Sequence, residues 1–164
     1  MLQKIDFSRI SFLVVDDNQL SSEVLRDILT TLGADKIRRC PDSDAAIDIL
    51  GQGDIDVLIA EWNIGPLNGL ELIEWVRHSV DSPNRMLPVI MVTANSAQEY
   101  VIRARDQGVT EFLAKPYSGE QIFGRLVSVI ARPRQFVNAD GYFGPDRRRR
   151  QLRHDGPDRR RKAS

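Results

Sequence analysis

The stretch ISFLVVDDNQLSSEVLRDILTTLG, residues 10–33, decides the fold. Ile10 to Val15 is short, rich in β-branched and aromatic residues, and closed by the polar run Asp16-Asp17-Asn18, which is the signature of a buried strand. Leu20, Val24, Leu25, Ile28, Leu29 and Leu32 then recur at helical spacing, and Gly33 stands where such a helix stops. A buried strand feeding an amphipathic helix is the first half of a parallel crossover unit.

The same pattern repeats along the chain. Strands are expected at Lys36–Arg39, Ile55–Ala60, Pro88–Val92 and Thr110–Leu113, with helices beginning near Asp42, Asn68, Ser96 and Ser118. In the last helix Ile122, Leu126, Val129 and Ile130 form one apolar stripe, and Arg132-Pro133 ends it. Repeated strand–helix units call for a parallel sheet covered on both faces, since parallel strands need crossover helices and the crossovers are nearly all right-handed. The expected fold class is therefore α/β, a doubly wound five-stranded parallel sheet. With 164 residues and 41% hydrophobic content, the chain buries one good core and carries an appendage. Residues 1–131 are expected to form the domain and residues 132–164 the appendage. Ligands of such sheets sit at the carboxyl ends of the strands, where the strand order reverses. Asp16 and Asp17 follow the first strand, Glu61 the third, Thr93 the fourth and Lys115 the fifth.

Net charge is zero, but it is divided. Residues 1–131 hold 12 Lys/Arg against 19 Asp/Glu, and residues 132–164 hold 11 against 4, so an acidic body carries a basic tail. A single cysteine, Cys40, excludes an internal disulfide, and no run of about 18 apolar residues marks a membrane span. The N-terminal residues lack the long apolar stretch of a signal peptide, so a cytoplasmic location without membrane insertion is expected. Cys40, His78 and His154 are too few and too scattered for a zinc site and read as structural.

Four motifs at the strand ends, VVDDN (14–18), LIAEWNIGPLNG (58–69), VTA (92–94) and AKPY (114–117), resemble in order and spacing the receiver domain of two-component response regulators. Trp62-Asn63 is similar to the CheY-like members, and the resemblance covers about residues 10–131. It implies the flavodoxin-like strand order 2-1-3-4-5, for which flavodoxin and CheY are the standard examples. It also implies Mg²⁺ held by Asp16, Asp17 and the acceptor position, Glu61, with the backbone carbonyl of Asn63. Thr93 and Lys115 would be the switch pair and Phe112 the mobile aromatic switch residue. The chemistry is intelligible on its own. Clustered carboxylates hold a hard cation that neutralises a phosphoryl group, a lysine pairs with that group as a point charge, and a threonine hydroxyl bonds it.

One residue departs from the family pattern. The phosphoacceptor aspartate falls on Glu61, and the following Met-Pro is replaced by Ile64-Gly65-Pro66. A glutamate carries its carboxylate about one bond, roughly 1.5 Å, further out. A misplacement of about 1 Å can cost on the order of a hundredfold in rate. Two readings of Glu61 stand side by side: an inert remnant paired with Lys115, or a mimic of the phosphorylated state. Either moves the switching input elsewhere, and the tail is the candidate.

That tail has almost no hydrophobic periodicity and is interrupted by Pro133, Pro145 and Pro157, so it is expected to be disordered until something binds. It writes Gly-Pro-Asp-Arg-Arg-Arg twice, at residues 144–149 and 156–161. Arginine rather than lysine favours planar, bidentate recognition, for which guanine O6 and N7 are the commonest partner. Asp146 and Asp158 would weaken binding to a polyanion, yet a carboxylate is what the Watson–Crick edge of guanine needs. The chain resembles the CheY-like cyclic-di-GMP effectors, the Cle group. That resemblance implies a ligand site at Tyr142, Pro145, Asp146, Arg147, Arg148, Arg149, Asp158, Arg159 and Arg160. The function expected is a binding module with no catalysis of its own, which answers cyclic di-GMP by docking on a protein target, the flagellar motor switch. A phosphorylation-dependent single-domain regulator and an RNA-binding adaptor are the alternatives.

Overall fold

The structure, a computed structural model, describes residues 4–148. Five parallel strands, β1 (Ser11–Val15), β2 (Lys36–Cys40), β3 (Val57–Glu61), β4 (Val89–Thr93) and β5 (Glu111–Ala114), form one sheet in the order 2-1-3-4-5, as expected. Between and after them run α1 (Gln19–Thr31), α2 (Ser43–Leu50), α3 (Gly69–His78), α4 (Gln98–Gln107) and α5 (Gly119–Ala131). Short polar residues start most of the helices: Asn18 accepts from Ser21 N, Asp42 from Ala45 N, and Asn68 and Ser118 close capping boxes with Glu71 and Gln121. Ala97 before α4 offers no such cap.

Alternation along the strands divides the core in two. Leu13 and Val15 face the layer that includes Ala46, Leu72 and Ala104, whereas Phe12 and Val14 face Leu25, Leu29, Ile122 and Leu126. No helix among the described residues is long and apolar enough to cross a membrane.

Residues assigned to the tail by sequence form an element of their own. β6 (Phe136–Ala139) and β7 (Tyr142–Pro145) pair antiparallel through a two-residue turn, Asp140 at φ 49° and Gly141 at φ 77°. The expectation of an unstructured segment from residue 132 onward is corrected for this part. The local reason is the Asp-Gly turn; the tertiary reason is a seat on α3 and α4. Arg77, fully buried, lies 4.9 Å from the centre of the Phe136 ring, Arg85 lies 4.0 Å from that of Phe143, and the two rings are 5.6 Å apart. Arg77 Nε donates to Gly108 O at 3.0 Å and its Nη1 to Arg85 O at 2.8 Å, while Arg134 Nη2 donates to Thr110 O and Glu111 Oε1. The aromatic side chains that could not form a core alone cover a buried arginine of the domain.

Candidate functional site

The carboxyl ends of β1, β3 and β5 bring Asp16, Glu61 and Lys115 together. Lys115 Nζ lies 2.7 Å from Glu61 Oε2 and 3.1 Å from Asp16 Oδ2, and it donates to Ser21 Oγ at 2.8 Å. Both carboxylates are nearly buried and their other oxygens are engaged: Glu61 Oε1 accepts from Trp62 N at 2.9 Å, and Asp16 Oδ1 from Asn18 N at 2.9 Å. Burial alone would push the Lys115 ammonium down. The hydrogen bond and charge of Glu61, then those of Asp16, outweigh it and hold the lysine above its ordinary pKa.

Thr93 is fully buried at the end of β4, and its hydroxyl accepts from Asn95 N at 3.2 Å rather than meeting Glu61. Phe112 is half-buried on β5. Asp17 and Asn63 are exposed. Trp62 is 6% exposed, edge-on to Tyr100 at 5.0 Å with Arg103 5.4 Å from its ring centre. Receiver domains use Mg²⁺ at this acidic site. Here Asp16, Asp17, Glu61 and Asn63 do not assemble as a metal centre, and no three His, Cys, Asp or Glu side chains among the described residues converge to hold one. The lysine ammonium already serves as the cation between the two buried carboxylates, so the residues present do not fit the metal.

The first copy of the repeat starts inside the hairpin. Gly144 and Pro145 are buried, and Asp146 N donates to Gln135 O at 2.7 Å. Asp146 Oδ1 accepts from Arg148 N at 3.0 Å, an Asx turn that leaves Arg148 in solvent. Arg147 Nη1 bonds Asp106 Oδ1 on α4 at 3.1 Å, and its guanidinium lies 4.1 Å from the Tyr142 ring centre. Burial pushes the Tyr142 phenol up, against the opposing effect of Arg147, and Tyr142 Oη donates to Pro145 O at 2.8 Å. Arg149, Asp158, Arg159 and Arg160, and with them the second copy, lie outside the described residues.

Sequence reasoning missed Ser21, Arg77, Arg85, Asp106, Glu111 and Arg134. Asp140-Gly141, flanked by Phe136-Val137 and Tyr142-Phe143, carried a hairpin signal that would have led to Arg77 and Arg85.

A parallel sheet in this order, with carboxylates, a threonine and a lysine gathered at its carboxyl edge, defines a receiver-type signalling domain. Residues 12–127 match the family described as response regulator receiver domain, and the chain belongs to that family. A CheY homologue, a chemotaxis protein of Campylobacter jejuni, is 34% identical over 119 residues, 72% of this chain and 90% of the relative. The chemotaxis protein CheY-3 of Vibrio cholerae is 28% identical over 120 residues, 73% and 91% of the two chains. In fold, the solved structure of Vibrio cholerae CheY4 matches 74% of this chain and 98% of its own, with TM-score 0.67 at 23% identity.

Proposed function

We propose that this receiver-family protein is a cyclic-di-GMP-responsive, CheY-like effector that docks on a protein target without catalysis of its own. The observation that carries the reading is the closed state of the acceptor pocket: Glu61 stands at the acceptor position with Lys115 bonded to it at 2.7 Å. Its carboxylate has both oxygens occupied, so the input belongs elsewhere on the molecule. The duplicated Gly-Pro-Asp-Arg-Arg-Arg supports the tail as that place, because arginine forks and a carboxylate together match both edges of guanine. Cyclic di-GMP has two equivalent guanines for two copies of the motif.

The relatives are chemotaxis proteins by name, and that similarity points the output to motility, with the flagellar motor switch as partner and the motor or pole as place of action. Receivers present α4, β5 and α5 to their targets, and here that face runs directly into the hairpin and tail. The deciding experiment is calorimetric titration of the full chain with cyclic di-GMP, GTP and cyclic di-AMP. Saturable binding of cyclic di-GMP alone is expected. Equal binding of cyclic di-AMP, or steeply salt-dependent binding without nucleotide selectivity, overturns the reading in favour of an RNA-binding adaptor.

A further inference from the structure

A cavity of about 360 Å³ opens between α4, β5 and the chain segments that flank the hairpin. Val101 and Ala104 of α4 and Phe112 of β5 give it an apolar wall, and Arg105, Arg134 and Arg147 supply three guanidinium groups around it. The charge there is unbalanced. Among the described residues, Arg134 pairs with Glu111 at 2.9 Å, and Arg105 and Arg147 share Asp106 at 3.8 and 3.1 Å, so the three lining guanidiniums meet two carboxylates. Clustered cations short of anions, beside a flat apolar wall, suit a planar base that carries a phosphate.

We infer that this cavity is the receptor for one guanylate half of the ligand, with the base on the Val101–Phe112 wall and a phosphate oxygen taken by Arg105 and Arg147. The inference rests on the cyclic-di-GMP reading and goes further: part of the site lies on the receiver body, and the tail does not hold the ligand alone. Size selects one half. Ligand cavities run from about 300 to 1,000 Å³, and one near the lower bound takes a mononucleotide unit rather than the whole ring. The other half is left to project outward from the cavity.

Occupancy has a structural consequence. Arg147 is held by Asp106 through an exposed ion pair and by the Tyr142 ring, and a phosphate exchanges the weak exposed pair for a stronger charge-assisted contact. Asp106 sits in the last turn of α4, so loading the cavity changes the contacts of that helix.

The test is calorimetry of the full chain with cyclic di-GMP on the parent, Arg105→Ala, Arg105→Lys and Val101→Trp, together with methyl NMR of Val101 and Val109. Arg105 is exposed, so its loss leaves the fold intact and circular dichroism checks this. Arg105→Ala and Val101→Trp should each weaken binding about tenfold or more, Arg105→Lys less, and the two valine methyl signals should shift on addition of ligand. Parent-like affinity in Arg105→Ala with unmoved valine signals overturns the inference while leaving the cyclic-di-GMP reading intact. A parent that does not bind cyclic di-GMP overturns both.

Discussion

A Cβ placed on Gly144 would lie 2.9 Å from the Cα of Gly108, so the hairpin and the C-terminal end of α4 meet backbone to backbone. The same atom would come within 2.5 Å of Tyr142 Oη. Gly144→Ala should therefore unseat the hairpin. Hydrogen exchange is expected to lose protection over residues 136–145 and keep it in β1 and β3. Gly108, at φ 99°, closes α4 in the left-handed region, and Gly108→Ala should cost about 1–2 kcal/mol in thermal or chemical unfolding.

Arg77 is fully buried, and burial depresses its guanidinium to about 10. Arg77→Met keeps the volume but leaves the carbonyls of Gly108 and Arg85 without their donors and Phe136 without its cation. A loss of about 3 kcal/mol is expected in urea unfolding, larger than for any exposed arginine of the domain.

Glu61 should not accept a phosphoryl group from acetyl phosphate, and intact mass spectrometry should show the unmodified mass with and without Mg²⁺. Millimolar Mg²⁺ should also leave the melting temperature unchanged, because Lys115 already neutralises Glu61 and Asp16. Glu61→Ala strands the ammonium on Asp16 alone and should lower stability by about 2 kcal/mol.

Cys40 sets the alkaline limb. Burial, with a smaller contribution from Asp42, pushes its thiol from 9.0 to about 11. Its raised pKa means the folded chain holds the proton more tightly, so this stability is complete below pH 9 and is lost as pH rises toward 11. Arg77 acts in the opposite sense above about pH 10, and the raised Lys115 adds a further loss above 10.5, which leaves pH 9 to 10 as the clean window. The parent should lose roughly 1 kcal/mol there, and Cys40→Ala should show a flatter profile.

Asp146 separates a guanine clamp from charge attraction. Removing a negative charge strengthens contact with any polyanion, yet Asp146→Ala should weaken cyclic-di-GMP binding in calorimetry by about tenfold, as expected for one lost base-edge contact. Tighter binding by the variant would contradict the clamp.

The five strands, the five helices and the residues of the acidic pocket were legible in the sequence, because buried strands such as Phe12–Val15 and stripes such as Ile122–Val129 are local patterns with a fixed period, whereas the strand order followed from the resemblance to the receiver family. Asp16, Glu61, Thr93 and Lys115 were legible for a related reason: each ends a strand, and a parallel sheet aligns its strand ends. Only the tertiary structure decided how those groups spend their charges, with Lys115 bonded to Glu61 and Asp16 and Thr93 turned to Asn95. It also decided the fate of residues 136–145. Their composition lacks a core, and what orders them is a buried arginine on α3 and a glycine at the end of α4, 59 and 28 residues before Phe136 in the chain. Contacts between groups so far apart in sequence leave no periodicity for either segment to display, so they exist as information only once the sheet has brought α3, α4 and the hairpin together.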